Sequence, residues 1–206
     1  MSTLFDKFAD AAEKRDNLSQ LGTNPTAVVM ERAIDATTAQ INGNPTILAG
    51  TNNYLGLTFE PACIEAAQRA LTESGTGTTG SRMANGNYAG HELLEQEIAE
   101  FYGYPQAMLF STGYAANLGT IAALVGAGDA VLLDADAHAS LYDGCKLSGA
   151  DIYRFKHSDP VSLDNRLRRL GDRAKSTLVA IEGLYSILGD YPKLSAFCDV
   201  CEKYGA

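Results

Sequence analysis

Hydrophobic residues in the second half of the chain form short runs, separated by longer segments that mix apolar and polar positions at helical spacing. The short runs predict strands at 107–111, 130–134, 151–155 and 177–183. The intervening segments predict helices at 90–102, 114–125, 139–148, 161–170 and 193–204. Strands that alternate with helices indicate an α/β fold with a mostly parallel sheet flanked by helices, whose ligand site lies beyond the carboxyl ends of the strands.

The first part of the chain has a different organisation. Apolar side chains recur at helical spacing over residues 3–18, and the stretch GTNPT then breaks the pattern. The dipeptide Asn42-Gly43 within AQINGNPTILAG predicts a small β-hairpin. Pro61 in EPACIEAAQRALTES predicts the first turn of a helix. We interpret residues 1–50 as an N-terminal arm followed by a small hairpin.

Composition limits the possible classes of protein. The chain has 206 residues, 46% of them hydrophobic, and a formal net charge of −9, which argues against a nucleic-acid partner. Its apolar runs are shorter than the roughly 20 residues of a membrane span, and no integral membrane segment is predicted. Four sparse cysteines are typical of reduced thiols, so we expect a cytoplasmic protein.

The stretch FSTGYAANLG places a turn between a predicted strand and a predicted helix. Thr112 and Gly113 form this turn, and the helix begins near Tyr114. Backbone N–H groups at the start of a helix have no partner within the helix and attract anions, and Gly113 permits a ligand to approach the backbone closely. The stretch therefore predicts an anion site, with a simple capped turn as the alternative.

His138 follows the next predicted strand, within LLDADAHASLYDG. It would lie at the same carboxyl edge of the sheet as the Gly113 turn, together with Glu182 and Ser186 of EGLYS, which follow a third strand. This shared edge makes His138 a candidate site residue. The alternative is a histidine of the surface or the core.

The glycine-rich stretch GTGTTG, residues 75–80, matches the pattern G-x-G-x-x-G. A dinucleotide-binding loop needs a strand before it and a helix directly after it, whereas here a predicted helix precedes it and a loop follows. This context argues against an intact small nucleotide-binding protein. A loop near a ligand and a plain connection both stay open.

Three further features have simpler interpretations. Cys198 and Cys201 lie in a helical pattern without a second cysteine pair, which favours structural thiols over metal or redox chemistry. His91 is expected to cap a helix, and the three histidines are too scattered to predict a metal. The basic run RLRRLGDRAK is typical of a solvated helix face, although it could attract an acidic carrier or a CoA phosphate.

Taken together, five stretches resemble the α-oxoamine synthase family of pyridoxal-phosphate (PLP) enzymes, which have the fold-type-I, aminotransferase class II-like fold. The stretches are LAGTNNYLGLTF, TGTTGSRMANGNYAGHELLE, FSTGYAANLG, LDADAHASLYDG and EGLYSILGD. The resemblance implies that residues 51–206 are the first part of the large PLP-binding domain. Because the chain ends after a helix where such a fold normally enters its next strand, we expect a fragment.

The resemblance also implies roles for individual residues. The backbone at Gly113 and Tyr114 would hold the cofactor phosphate. His138 would stack on the pyridine ring and touch the substrate carboxylate. Ser186 would hydrogen-bond the ring hydroxyl, and Asn52 would bind the carboxylate of the amino acid.

The activity implied is a decarboxylating condensation of an amino acid, expected to be L-serine, with a long-chain acyl thioester to give a 3-oxo amine, as in the first step of sphingolipid synthesis. The thioester would be acyl-CoA or acyl-carrier protein, and the enzyme a homodimer. One alternative is a relative that makes 8-amino-7-oxononanoate for biotin, or another α-oxoamine synthase. A different class is a non-catalytic subunit or interaction module.

The positions of the lysines keep the non-catalytic subunit or interaction module open as an alternative. The family attaches its cofactor to a lysine and places an aspartate on the ring nitrogen. None of the seven lysines of the chain stands in the family's lysine motif. We therefore expect both residues to lie beyond residue 206, and the 206-residue piece alone to be inactive.

Overall fold

A computed structural model of the chain describes residues 4–20, 22 and 28–206. It contains two compact units, Met1–Gly86 and Asn87–Ala206. The α-helices are α1 (Ala9–Gln20), α2 (Pro61–Ser74), α3 (Ala89–Tyr102), α4 (Gly113–Leu124), α5 (Ala139–Ser148), α6 (Pro160–Leu170) and α7 (Leu194–Tyr204). The strands are β1 (Arg32–Ala33), β2 (Thr38–Ile41), β3 (Asn44–Ile47), β4 (Ala130–Asp134), β5 (Asp151–Phe155) and β6 (Thr177–Ala180). Within the described ranges, none of the helices combines the length and hydrophobicity needed to cross a bilayer.

The first unit contains an antiparallel sheet in the order β1-β2-β3. Asn42 and Gly43 join β2 to β3 with φ angles of 51° and 73°, the left-handed conformation that a two-residue hairpin turn requires at both positions. The predicted hairpin is confirmed, as is the helix that begins at Pro61. The predicted helix over 3–18 is described as a short 3-10 turn at Asp6–Phe8 followed by α1, whereas residue 3 and most of GTNPT lie outside the described residues.

The glycine-rich stretch after α2 folds back on itself. A Cβ atom added at Gly86 would lie 1.8 Å from the backbone oxygen of Gly80, so no larger residue fits at position 86 without movement of the backbone. The N–H of Gly86 donates to the carbonyl of Ser81 at 2.8 Å. α2 precedes this stretch, as the sequence indicates, and a dinucleotide fingerprint would need a strand in that place.

The second unit is built on a parallel sheet in the order β5-β4-β6, with β4 in the centre. Side chains of β4 alternate between two faces, as strand geometry dictates. Val131 and Leu133 join one buried cluster with side chains of α4 and α5, whereas Leu132 joins another with side chains of α6 and α7. Helices therefore cover both faces of β4, and the predicted α/β fold with a parallel sheet is confirmed.

Two predicted strands differ from the structure. Residues 107–111 form no strand; within the described part of the chain their backbone has no strand to pair with, and the N–H of Leu109 donates to the Glu95 carboxylate at 2.7 Å. The strand predicted over 177–183 ends at Ala180, where the ladder with β4 stops. Both errors arise because an apolar run indicates burial, whereas a strand also needs a neighbour.

Candidate active site

The turn before α4 begins the candidate site. Thr112 caps the helix, and its side-chain oxygen accepts a hydrogen bond from the N–H of Ala115 at 3.0 Å. The helix begins at Gly113, so the N–H groups of its first turn face outward from its positive end. A Cβ atom added at Gly113 would meet no protein atom within 4 Å. The backbone at Gly113 is therefore open to a ligand.

Tyr114 connects this turn to α5. Its hydroxyl group donates a hydrogen bond to the carboxylate of Asp143, and Lys146 Nζ lies 3.6 Å from the other oxygen of that carboxylate. The hydrogen bond from Tyr114 lowers the pKa of Asp143 and raises the pKa of the Tyr114 hydroxyl group. The sequence alone did not single out Asp143, which lies on α5 five residues after His138.

α4 and α5 pack closely at Gly144. A Cβ atom at this position would lie 3.1 Å from the Cβ of Ile121 and 3.2 Å from the Cα of Leu118. Because these neighbours are backbone or a β-branched core residue, they cannot move aside easily. Gly144 thus sets the distance between the two helices that carry Gly113 and Tyr114 on one side and His138 on the other.

His138 is the N-cap residue of α5, and contacts with three residues hold it. Its Nδ1 lies 2.8 Å from the hydroxyl oxygen of Ser140 and accepts a hydrogen bond from the N–H of Ser140 at 3.2 Å. Its own N–H donates to the carboxylate of Glu182. Its ring stands edge-on to that of Tyr114, with 6.3 Å between the ring centroids. The structure thus brings Tyr114, His138 and Glu182 together at the edge where the sequence predicts them.

Two other predicted site residues are exposed to solvent. Ser186 is exposed in the segment that follows β6, next to the buried residue Tyr185. Asn52 is exposed in the first unit, and its neighbour Asn53 donates to the carbonyl of Ala36 and the hydroxyl of Thr58, both at 2.9 Å. The ligand-binding roles of all these residues stay predictions.

The sequence alone did not reveal a partly buried cluster at the carboxyl ends of β4 and β5. The carboxylate of Asp134 is fully buried and accepts hydrogen bonds from the N–H groups of Asp136 and Ser158, both at 2.9 Å. His157 Nδ1 lies 2.8 Å from Asp134, and His157 Nε2 lies 2.9 Å from the carboxylate of Asp190. The imidazole of His157 therefore bridges two carboxylates. We call Asp134, His157 and Asp190 the carboxylate clamp.

The carboxylate clamp shifts the titration of its members. Hydrogen bonding to Asp190, and then to Asp134, raises the pKa of His157 in spite of partial burial. Burial raises the pKa of Asp134, but hydrogen bonds from Asp136, Ser158, His157 and Tyr185 outweigh it, so the pKa lies below its ordinary value. Burial chiefly raises the pKa of Tyr185. A protonated His157 beside an ionised Asp134 is the state that these shifts favour.

The carboxylate clamp also explains a grouping that resembles a metal site. One ligand atom each from Asp134, Asp136 and His157 lies within 4.8 Å of the others. Hydrogen bonds from backbone N–H groups and from His157 already occupy the Asp134 oxygens, and both nitrogens of His157 face carboxylates. Hydrogen bonding therefore accounts for this grouping, and we propose no metal there.

A pattern in the sequence could have revealed the carboxylate clamp. His157 lies two residues after the end of strand DIYRF, and His138 lies four residues after the end of strand AVLLD. Both histidines therefore lie at the same edge of the parallel sheet. The sequence alone predicts no role for His157, one of three histidines that are too scattered to predict a metal. The acidic residue at the end of a buried strand, Asp134, was the signal for a partner that is charged or donates hydrogen bonds.

The remaining motifs have structural explanations. The predicted capping role of His91 is confirmed, since its Nδ1 accepts a hydrogen bond from the N–H of Tyr88 at 3.0 Å. Cys198 and Cys201 are free thiols on α7, and Cys201 packs against the cluster around Phe197. Burial raises the pKa of Cys201, so its thiol is the favoured form. Arg166, within the basic run, is exposed on α6.

The fold agrees with what comparison with known proteins shows. Residues 45–206 match the family model "Aminotransferase class I and II", and the chain belongs to that family. Among its curated relatives, serine palmitoyltransferase of Caulobacter vibrioides (strain NA1000 / CB15N) is 48% identical over 202 residues, which cover 98% of this chain and 50% of that protein. An 8-amino-7-oxononanoate synthase of Pseudomonas putida (strain W619) is 45% identical over 166 residues, which cover 81% of this chain and 42% of that protein.

Solved structures give the same result. A serine palmitoyltransferase variant from S. paucimobilis with a bound PLP–myriocin aldimine superposes with a TM-score of 0.95 at 47% identity, over 100% of this chain and 52% of that one. Sphingomonas wittichii serine palmitoyltransferase gives 0.94 at 48% identity, over 100% and 51%. The resemblance to α-oxoamine synthases is thus confirmed. The chain spans about half the length of these relatives.

Proposed function

We propose that the protein to which this chain belongs is a PLP-dependent acyltransferase that condenses L-serine with a long-chain acyl thioester to give a 3-oxo amine, with loss of the serine carboxylate. The similarity to proteins named serine palmitoyltransferase over 98% of the chain supports this proposal. The product would enter sphingolipid synthesis. We further propose a cytoplasmic homodimer that takes its acyl group from acyl-CoA or an acyl-carrier protein.

The observation that carries the proposal is the open backbone at Gly113 beside the paired rings of Tyr114 and His138. A phosphate needs hydrogen-bond donors and a positive potential, and the first turn of α4 offers both. A pyridine ring packs favourably on a flat aromatic partner. The exposed imidazole of His138 offers such a surface, and its Nδ1 is held by the hydroxyl group of Ser140. The residues present therefore fit PLP.

Each residue would have a limited task. The N–H groups at Gly113 and Tyr114 would bind the phosphate, while His138 would orient the ring and the substrate carboxylate. Ser186 would donate to the ring hydroxyl, and Asn52 would bind the carboxylate of the amino acid. PLP, when bound, supplies the electron sink that stabilises negative charge on the amino-acid Cα. The protein contributes orientation and electrostatics.

A second candidate is the synthesis of 8-amino-7-oxononanoate. Relatives with that name are 40–45% identical, but they match only 81% of the chain, whereas two serine palmitoyltransferases match 98%. The wider match favours the first proposal. A non-catalytic subunit would share the fold and bind no amino acid productively.

The test uses the full-length protein. We expect addition of PLP to give a visible absorption band, L-serine to change that band, and palmitoyl-CoA to yield a long-chain 3-oxo amine that mass spectrometry identifies. Formation of 8-amino-7-oxononanoate from the corresponding thioester, with no reaction of serine, would support the second candidate. Binding of neither PLP nor an amino acid would contradict both and favour the non-catalytic subunit.

A further inference from the structure

Ser140 is the one fully buried polar residue in the first turn of α5, and it contacts an exposed histidine. Its hydroxyl oxygen lies 2.8 Å from His138 Nδ1, and its backbone N–H donates to the same nitrogen at 3.2 Å. A backbone N–H can only donate, so Nδ1 must accept with its lone pair. The neutral imidazole of His138 therefore carries its proton on Nε2.

Asn117 on α4 determines which way the Ser140 hydroxyl points. Asn117 Nδ2 donates to the Ser140 oxygen at 3.0 Å. A serine hydroxyl has one proton to donate, and this oxygen already accepts from an amide. The proton of Ser140 is therefore directed to His138 Nδ1. Two donors, the hydroxyl and the N–H of one residue, converge on the same nitrogen.

We propose that Asn117 and Ser140 are positioning residues that hold His138 in the Nε2–H tautomer, so that its outer edge presents a hydrogen-bond donor to the carboxylate of the amino-acid substrate. The proposal rests on the proposed function for the identity of the ligand, but the tautomer follows from the geometry alone. A carboxylate only accepts hydrogen bonds, so the opposite tautomer would present a lone pair to it and repel it. Within the described residues, Nε2 makes no hydrogen bond to protein.

α4 carries both Gly113, which would bind the phosphate, and Asn117, which positions Ser140. Asn117 lies four residues after Gly113 and thus one turn along the same side of α4. Gly144 holds α5 at close contact with Asn117, because an added Cβ atom there would lie 3.3 Å from the Asn117 carbonyl oxygen. The packing of α4 against α5 consequently sets the distances that connect the Asn117 amide, the Ser140 hydroxyl and the His138 imidazole.

The first test is spectroscopic and needs neither cofactor nor substrate. In the full-length protein labelled with ¹⁵N-histidine, long-range ¹H–¹⁵N spectra at about pH 8.5, where an ordinary imidazole is neutral, report which nitrogen is protonated. His138→Gln identifies the His138 signals by their loss. We expect a protonated Nε2 and an unprotonated Nδ1. A proton on Nδ1 would overturn the proposal, whatever the protein catalyses.

Two variants test the donors separately. Ser140→Ala removes the hydroxyl but keeps the N–H, and Asn117→Asp replaces the amide donor by an acceptor that draws the Ser140 proton away from His138. In both, we expect the two His138 nitrogen shifts to move toward averaged values. Turnover should fall about tenfold, the equivalent of one hydrogen bond, while the dissociation constant for PLP stays within about twofold.

The outcomes separate this proposal from the proposed function. Loss of PLP binding with an unchanged His138 spectrum would mean that Ser140 supports the fold rather than the tautomer. Variants with both the spectrum and the turnover of the original protein would also overturn the proposal. If Ser140→Ala does not fold, Asn117→Asp, at a partly buried position, provides the same two readouts. Ser140→Cys, which keeps a weaker donor, should give intermediate values.

Discussion

The ring of Tyr185 stands perpendicular to the imidazole of His157, with 4.4 Å between the ring centroids. Tyr185 is almost completely buried, and it covers a histidine that bridges two carboxylates. The segment that contains Glu182 and Ser186 is thus tied to the carboxyl ends of β4 and β5 through Tyr185, His157 and Asp190. The contacts of Tyr185 with the carboxylate clamp therefore hold the backbone of the segment that contains Glu182 and Ser186.

The carboxylate clamp predicts how stability depends on pH. Because the folded-state pKa of His157 lies above 6.5, its contribution is complete below about pH 6.5 and is lost as the pH rises through the folded value. Asp134 contributes above its unfolded pKa of 3.8, and this is lost as the pH falls through its lower folded value. We expect the melting temperature of the original protein to exceed that of His157→Gln most clearly between about pH 3.8 and about pH 6.5.

Thermal denaturation across about pH 4 to pH 9 checks this prediction. Asp190→Asn keeps the shape of Asp190 but removes the carboxylate that chiefly raises the pKa of His157. For that variant, the loss of stability on the alkaline side should begin at lower pH. If the melting temperatures of His157→Gln and the original protein differed by the same amount at every pH, the contact of His157 with the two carboxylates would not be ionic.

Replacement of Gly144 by alanine should destabilise the protein. The added methyl group would press on Ile121 and on the backbone of α4, and overpacking of this kind costs about 1–3 kcal/mol. Urea denaturation of the full-length protein measures the change in the free energy of unfolding. Gly126→Ala is the matched control, because an added Cβ there meets no atom within 4 Å. Equal stability of the two variants would refute the close packing of α4 and α5.

Replacement of Gly113 by alanine should leave stability nearly unchanged but weaken the binding of PLP. The Cβ atom would point into open space, so we expect the free energy of unfolding to change by less than about 0.5 kcal/mol. Affinity for PLP, measured by absorption titration, should fall about tenfold or more, because the methyl group displaces the phosphate from one backbone donor. Unchanged PLP affinity would place the phosphate elsewhere.

Tyr114 and Asp143 should act as a pair. Tyr114→Phe and Asp143→Asn each weaken the hydrogen bond that joins the start of α4 to α5. We expect the double variant to lose no more PLP affinity than either single variant, because residues that share one interaction are not additive. Lys146→Met removes the charged neighbour of Asp143 but keeps its hydrogen bond to Tyr114, and serves as the control. Fully additive losses would show that the two side chains act independently.

Variants of His138 distinguish ring stacking from hydrogen bonding. In the full-length protein, His138→Phe keeps an aromatic face and should retain PLP, but it should lose turnover by roughly 10²-fold, since misorientation has that cost. His138→Ala should also loosen PLP severalfold, because a stacked aromatic pair contributes about 0.5–1.5 kcal/mol. The measurements are PLP titration and product formation at saturation. A His138→Phe enzyme with the original turnover would exclude the carboxylate contact.

The sequence by itself determined the fold class and the turn chemistry. The hairpin at Asn42-Gly43, the helix start at Pro61 and the bounds of β4, β5 and α5 all follow from local patterns of hydrophobicity and backbone preference. The order of strands and helices also determined that His138 and Glu182 share an edge, because parallel strands end on the same side of a sheet. The prediction for the Gly113 turn rests on a strand over 107–111 that the structure does not form, so its place beside His138 follows from the packing of α4 against α5.

Only the tertiary structure decided how those residues are held. Asn117 and Ser140 are 23 positions apart, and His157 and Asp190 are 33 apart, so no local pattern connects them. Residues 107–111 show the same limit, because strand pairing depends on a distant neighbour that hydrophobicity does not reveal. Hydrogen bonds between distant elements depend on packing distances of a few tenths of an ångström, and those distances exist only once α4, α5 and the sheet are assembled.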